Sequence, residues 1–193
     1  MYLSFRFRFN ENPTLKLLNF VNSLFVFIAT LFGPLYALYV EGIKPGALAV
    51  SFSWAVFILS SSVFLFFMSA NGDRFKNKVL LVTISFLVRS VGWLYMAHIS
   101  TFLELLLSQV ILAFGDALGG PTFDTLLADN LDKTSHVHDY SDWRILSYIS
   151  MGLGTLVGGY IIELYGFPTM FRIMACLAII PAVMLYSGLG RNK

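Results

Sequence analysis

Residues 47–69 read Ala-Leu-Ala-Val-Ser-Phe-Ser-Trp-Ala-Val-Phe-Ile-Leu-Ser-Ser-Ser-Val-Phe-Leu-Phe-Phe-Met-Ser. No charge interrupts them, and they lack the two-residue alternation of a lipid-facing barrel strand. A helix needs roughly 20 mainly apolar residues to cross a hydrocarbon core about 30 Å thick. This stretch is long enough. A helix also satisfies its own backbone groups, which a bilayer cannot do for it. Five further stretches of the same kind lie at 17–40, 79–98, 102–128, 145–165 and 169–189. The expected fold class is an all-α membrane protein of six transmembrane helices. Composition agrees: 57% of residues are hydrophobic and 12% are charged, with a mean hydropathy of +0.74. A soluble domain carries about 25% charge, so no soluble enzyme fold fits.

The segments outside these stretches set the orientation. With residues 1–16 and 190–193 on the cytoplasmic side, ten of the thirteen Lys and Arg residues fall inside. Only Lys44 and Arg172 fall outside, and Arg89 lies within the third span. That asymmetry predicts both termini inside, most simply at a plasma membrane. Met1–Phe9 alternates Phe with Arg at Arg6 and Arg8, which suits either a segment at the lipid headgroups or a free tail. The first apolar run is too long, and lacks the small-residue end, for a cleaved signal. A net charge of +2 gives no reason to expect nucleic acid, and the single Cys176 permits no disulfide within the chain.

The two halves of the apolar region echo each other. Gly33-Pro34 is followed seven positions on by Glu41, and Gly120-Pro121 eight positions on by Asp129, at an offset of 87 between the Gly-Pro pairs. Ser69 precedes Asp73 by four residues, as Gly159 precedes Glu163, at an offset of 90. Three helices per half place the second half in the membrane from the opposite side. The sequence thus predicts a 3+3 inverted repeat, an architecture of secondary transporters.

Between the second and third spans, Asp73-Arg74 followed by Lys78 resembles the charged loop motif of the major facilitator superfamily. Ser69, Lys76 and Asn77 depart from that motif. Gly115, Gly119, Gly120 and Pro121 are similar to the family's small-residue fourth helix, with Asp129 at its end. Arg144, followed by Gly154, Gly158 and Gly159, is similar to its glycine-rich fifth helix, and Gly166-Phe-Pro-Thr-Met-Phe171 to the turn into the sixth. The resemblance covers nearly the whole chain but one six-helix bundle only, where a complete member has two. It implies a half-size secondary active transporter that moves a small solute by alternating access, as a homodimer or with a second half-size chain. The alternatives are a non-transporting partner subunit or scaffold, and an inactive half of a full transporter.

Charges inside a span are the strongest pointers to function, since each costs roughly 2.5–3.5 kcal/mol at mid-membrane on insertion scales. Arg89 and Asp116 are expected within roughly 3 Å of the same depth at 1.5 Å per residue. They read either as a proton- or solute-responsive pair or as a permanent tie between two helices. Asp124 shares a broad face with Asp116. The resemblance implies that the first and fourth helices line the pathway, which brings in Asn19, Asn22, Thr30, Tyr36 and Tyr39. These polar groups serve a solute, a neighbouring helix or the interface equally well. It also implies a cytoplasmic latch of Asp73, Arg74, Lys78, Asp129 and Arg144, for which ordinary topology-setting charge is the alternative. Gly115, Gly119, Gly120, Gly154, Gly158 and Gly159 read as helix packing, and Pro121 and Pro181 as bends. His136, His138 and Asp139 lack metal-ligand spacing and read as a solvated loop. No nucleotide, cofactor or nucleophile motif is present.

Overall fold

The computed structural model describes residues 12–71, 77–131 and 136–190, and all regular structure among them is helical. Helix α1 (Pro13–Thr30) starts where Pro13 supplies a preset φ and the Asn12 side chain accepts from the Thr14 and Leu15 amides. A 3-10 turn (Gly33–Leu35) then leads into α2 (Tyr36–Ile43). The first span expected from sequence is therefore two helices joined at an angle-tolerant turn. Pro34 cannot donate to the Thr30 carbonyl, and the Thr30 hydroxyl bonds back to Val26 at 2.8 Å, which loosens the helix at that turn. The second Gly-Pro pair behaves differently. Ala117 takes the place of Thr30 there, and α5 (Phe102–Ala128) runs unbroken through Pro121.

Helix α3 (Ala47–Asn71) follows Gly46, whose φ of 115° suits glycine. Helix α4 (Lys78–Met96) is capped by Asn77, and α5 by a reciprocal Thr101–Glu104 capping box. Helix α6 (His136–Leu177) begins well before residue 145, so His136–Asp139 belongs to a helix where the sequence suggested a loop. Its path leaves helical geometry at Gly166 (φ 76°, ψ 170°). Pro181 deprives Leu177 of its partner, and the chain restarts as α7 (Ile179–Leu189).

Contacts give the directions. Helices α4 and α5 are antiparallel: Lys78 meets Asp129, Ser85 lies against Gly119, Arg89 against Gly115 and Leu112 against Gly92. Helix α3 runs parallel to α5, with Phe52 beside Phe102 and Phe64 beside Phe114. Helix α1 packs Phe25 onto Phe86 and Trp93 of α4, with ring centroids 4.5 and 6.0 Å apart. Before Gly166, α6 runs parallel to α1: Asn22 donates to Ser147 at 2.9 Å, Gly154 sits on Phe27 and Thr30, and Gly158 on Leu31. After Gly166 the chain returns, with Phe171 4.8 Å from Phe32 and Gly188 against Leu17. Gly166 is thus the point of reversal. No non-glycine residue adopts that φ without strain.

Among the described residues, five stretches are long and apolar enough to cross a membrane: Pro13–Ile43, Ala47–Ala70, Lys78–Met96, Phe102–Ala128 and Tyr140–Leu189. The last joins two of the six stretches expected from sequence into 50 residues, because helical geometry resumes on both sides of the Gly166 turn. The core lies among α1, α4, α6 and α7, where Leu18, Ile28, Val82, Met170, Met174 and Leu185 are almost wholly buried. Helix α3 stands at the side, with 17% of its apolar window buried against 39–44% elsewhere. Its outward Leu48, Leu59 and Phe66, like Leu156 of α6, present the apolar surface that lipid requires.

Close backbone approach at the α1–α6 seam yields a test. A Cβ on Gly158 would collide with the Leu31 backbone, whereas one on Gly152 would meet nothing within 4 Å. Gly158→Ala is expected to lose about 1–3 kcal/mol by overpacking, and Gly152→Ala to stay within about 0.5 kcal/mol of the parent. Thermal unfolding of both variants in detergent checks the contrast, and equal midpoints would refute the packing assignment.

Candidate functional site

The two intramembrane charges of the sequence meet. Arg89 Nη2 of α4 lies 2.7 Å from Asp116 Oδ1 of α5. Two glycines make this reach feasible. A Cβ on Gly115 would come within 2.8 Å of the Arg89 Cγ, and one on Gly119 would overlap Ser85. Their absence of side chains lets α4 lie close along α5, so the short Asp116 side chain spans the gap. On its other side the guanidinium packs 4.8 Å from the Phe25 ring centroid, a cation–π contact.

The pair is asymmetric in exposure. The Arg89 side chain is 15% exposed and that of Asp116 46%. Asp116 faces a cavity of about 210 Å³ shared by α1, α4 and α5. Asn22, Phe25 and Val26 line one wall, Val82, Ser85, Phe86 and Arg89 a second, and Asp116, Phe123 and Asp124 a third. Gly119 and Gly120 complete the last wall, and a Cβ on Gly120 would meet nothing within 4 Å. Gly120 is therefore cavity surface, and a Cβ on Gly159 would likewise meet nothing within 4 Å, so neither position requires glycine for close helix approach. Asp124 is exposed, and Arg144 of α6 is near enough to act on it electrostatically.

Other candidates lie elsewhere. Tyr36 donates to Ser53 at 2.7 Å and Tyr39 to the Met96 carbonyl at 2.9 Å, both buried. They sit with Phe32, Phe167 and Phe171 in an aromatic cluster near the Gly166 turn, and neither lines the cavity. Thr30 bonds its own helix. Asn19 is buried one turn from Asn22 and is not a lining residue. At the far end of α4 and α5, Lys78 and Asp129 form a 2.9 Å ion pair that is well exposed, and such pairs contribute about 0–1 kcal/mol. Arg144 packs among Tyr140, Trp143 and Tyr148. Asp73 and Arg74 lie outside the described residues.

Sequence reasoning passed over Ser85, Ser147 and Gln109. Ser85 is one turn from Arg89 and faces the cavity. Gln109 is 2% exposed and two turns from Asp116, on the same face of α5. That helical spacing was the available signal. Among the described residues, no group of three or more His, Cys, Asp or Glu is placed to hold a metal. What remains is a largely buried guanidinium holding a half-exposed carboxylate at a cavity wall.

A model of the Major Facilitator Superfamily matches residues 17–192. The chain belongs to the major facilitator superfamily. This is a superfamily of membrane transport proteins. The POT family transporter PepTSo superposes with a TM-score of 0.75 at 13% identity, over 93% of this chain and 38% of PepTSo. The multidrug resistance protein MdtG of Escherichia coli O9:H4 (strain HS) is 28% identical over 95% of this chain. The facilitator chain spans 46% of MdtG, about half its length. A shorter relative, the uncharacterized MFS-type transporter YitZ of Bacillus subtilis (strain 168), is 21% identical. There the match takes in 82% of this chain and 96% of YitZ.

The ion pair generates a double-variant prediction. Arg89→Leu alone strands the Asp116 carboxylate and is expected to destabilise the bundle by about 3 kcal/mol. Arg89→Leu with Asp116→Leu removes both charges and should recover most of that loss. Detergent unfolding midpoints measure both. Additive losses would show that the two side chains do not form a pair.

Proposed function

We propose that this chain is one bundle of a secondary active transporter that moves a small solute by alternating access. The observation that carries the reading is the Arg89–Asp116 pair, buried on one side and open to a cavity on the other. A tie that only locked helices together would gain nothing from leaving its carboxylate at a cavity wall. Protonation of Asp116 frees Arg89, and that exchange couples a proton gradient to solute movement. Asp124 and Asn22 stand at the same wall to contact the solute.

In this reading Tyr140–Leu189 crosses the membrane twice, turning at Gly166, and the bundle has six crossings in two inverted triplets. A stretch of 50 residues would run about 75 Å as one helix, more than twice a hydrocarbon core. The charge asymmetry of the sequence supports both termini, and the Lys78–Asp129 end, being on the cytoplasmic side of a plasma membrane. Lys78, Asp129 and Arg144 then belong to a latch at the cytoplasmic surface.

One bundle supplies one wall. A second copy, or another half-size chain, completes the pathway about an axis along the membrane normal. The length of YitZ supports bundles of this size as chains in their own right. The name of MdtG makes drug-like compounds the first solutes to try.

Two measurements test this. With Cys176 replaced, single cysteines along α1 and α5 should crosslink specifically to a second copy in native membranes. Absence of any such crosslink, with the chain monomeric or held by another protein, turns the reading toward a partner subunit. In proteoliposomes with an imposed pH gradient, Asp116→Asn should remain folded, since Asn still accepts from Arg89, and should lose gradient-driven transport. Transport with an unchanged pH profile would remove Asp116 from coupling.

A further inference from the structure

Beside the cavity, the α1–α6 seam carries polar groups with no protein partner. Asn19 is 2% exposed, and neither its Oδ1 nor its Nδ2 has a hydrogen-bond partner. The same holds for the Ser23 hydroxyl and the Trp143 indole N–H, with Trp143 7% exposed. Buried groups left in this condition cost about 1–3 kcal/mol each, and most native buried polar atoms are satisfied by protein or water.

The hydrogen bond between Asn22 and Ser147 fixes how these groups sit. Asn19 precedes Asn22 by three residues on α1, and Trp143 precedes Ser147 by four on α6. The helices run parallel here, so the two residues lie roughly 4.5 and 6 Å down from that bond at 1.5 Å per residue. They are level to within about 1.5 Å and continue the same facing surfaces by one turn. Ser23 is one turn above Asn19, on the Asn19 side of α1. Asn19 and Trp143 therefore stand at one level of the α1–α6 seam, and they do not bond each other directly. Their inventory is two kinds of donor, an indole N–H and an amide N–H, with an amide carbonyl and a hydroxyl as acceptors. A bridging group must accept and donate at once. Water does both, and a simple anion or cation does only one.

We propose that the α1–α6 seam holds internal water between Asn19, Ser23 and Trp143, and that this water is continuous with the cavity. Asn22 is the junction. It bonds Ser147 in the seam and also lines the cavity that Asp116 and Asp124 face. The seam is then a second hydrated route to the Asp116 carboxylate, separate from the open side of the bundle. It stands whether or not the chain transports a solute.

The sign of one stability change tests the water. Val is nearer to Asn in volume than Leu is, exceeding it by about one methylene. In a dry seam Asn19→Val removes an unpaired buried amide and raises the unfolding midpoint. In a hydrated seam it breaks a satisfied network and lowers the midpoint by about 2–4 °C for each kcal/mol lost. An unchanged or higher midpoint overturns the proposal. Continuity is read separately on a Cys176→Ala background, in case Asn19→Val fails to fold. Ser23→Cys should be modified by a small water-soluble methanethiosulfonate, while Val21→Cys, on the same helix and fully buried among apolar groups, should not. Equal resistance of the two cysteines overturns the proposal as well.

Discussion

A guanidinium inside an apolar bundle has no bulk water to turn to, and the placement of Arg89 constrains everything around it. The nearest carboxylate, Asp116, is on a short side chain, so α4 and α5 must approach closely for the 2.7 Å contact to form. Gly115 and Gly119 permit that approach. The face of Phe25 covers the guanidinium from α1, and Phe25 in turn stacks on Phe86 and Trp93. One charge thus links the register of α4 on α5 to the seating of α1. The cavity is the space left where Gly119 and Gly120 withhold side chains beside that pair.

Glycines divide by what faces them. Gly154 and Gly158 are pressed against α1, and Gly115 and Gly119 against α4. In lipid there is no hydrophobic force to drive helices together, so close backbone contact through small residues supplies the van der Waals attraction. Gly166 has another use: a positive φ that turns the chain back along α1. Gly120, Gly152 and Gly159 have open space where a side chain would be. Gly120 belongs to the cavity for that reason. The two on α6 stand on an outer face.

One side of the bundle leaves polar side chains exposed. Asp116 and Asp124 are not roofed by any described helix, and α3 is packed along one side only. In relatives about twice as long the sequence continues for another such length, whereas YitZ is matched almost entirely by this one bundle.

The sequence by itself determined the solvent and the class of fold. Low charge and long uninterrupted apolar runs leave no way to build a water-facing surface, and a bilayer leaves helices as the way to satisfy the backbone. It also placed Arg89 and Asp116 at one depth, since rise per residue is fixed. It could not decide what shares a face across helices. Tyr36 and Tyr39 look like Asn22 in a linear reading, yet they bond Ser53 and Met96 in an aromatic cluster while Asn22 reaches the cavity wall. Two Gly-Pro pairs look alike, yet one breaks its helix beside Thr30 and the other runs on beside Ala117. Polar residues on an apolar helix carry no periodic signal of their own partner. Rotation and crossing of neighbouring helices, set by side-chain packing between distant segments, select it.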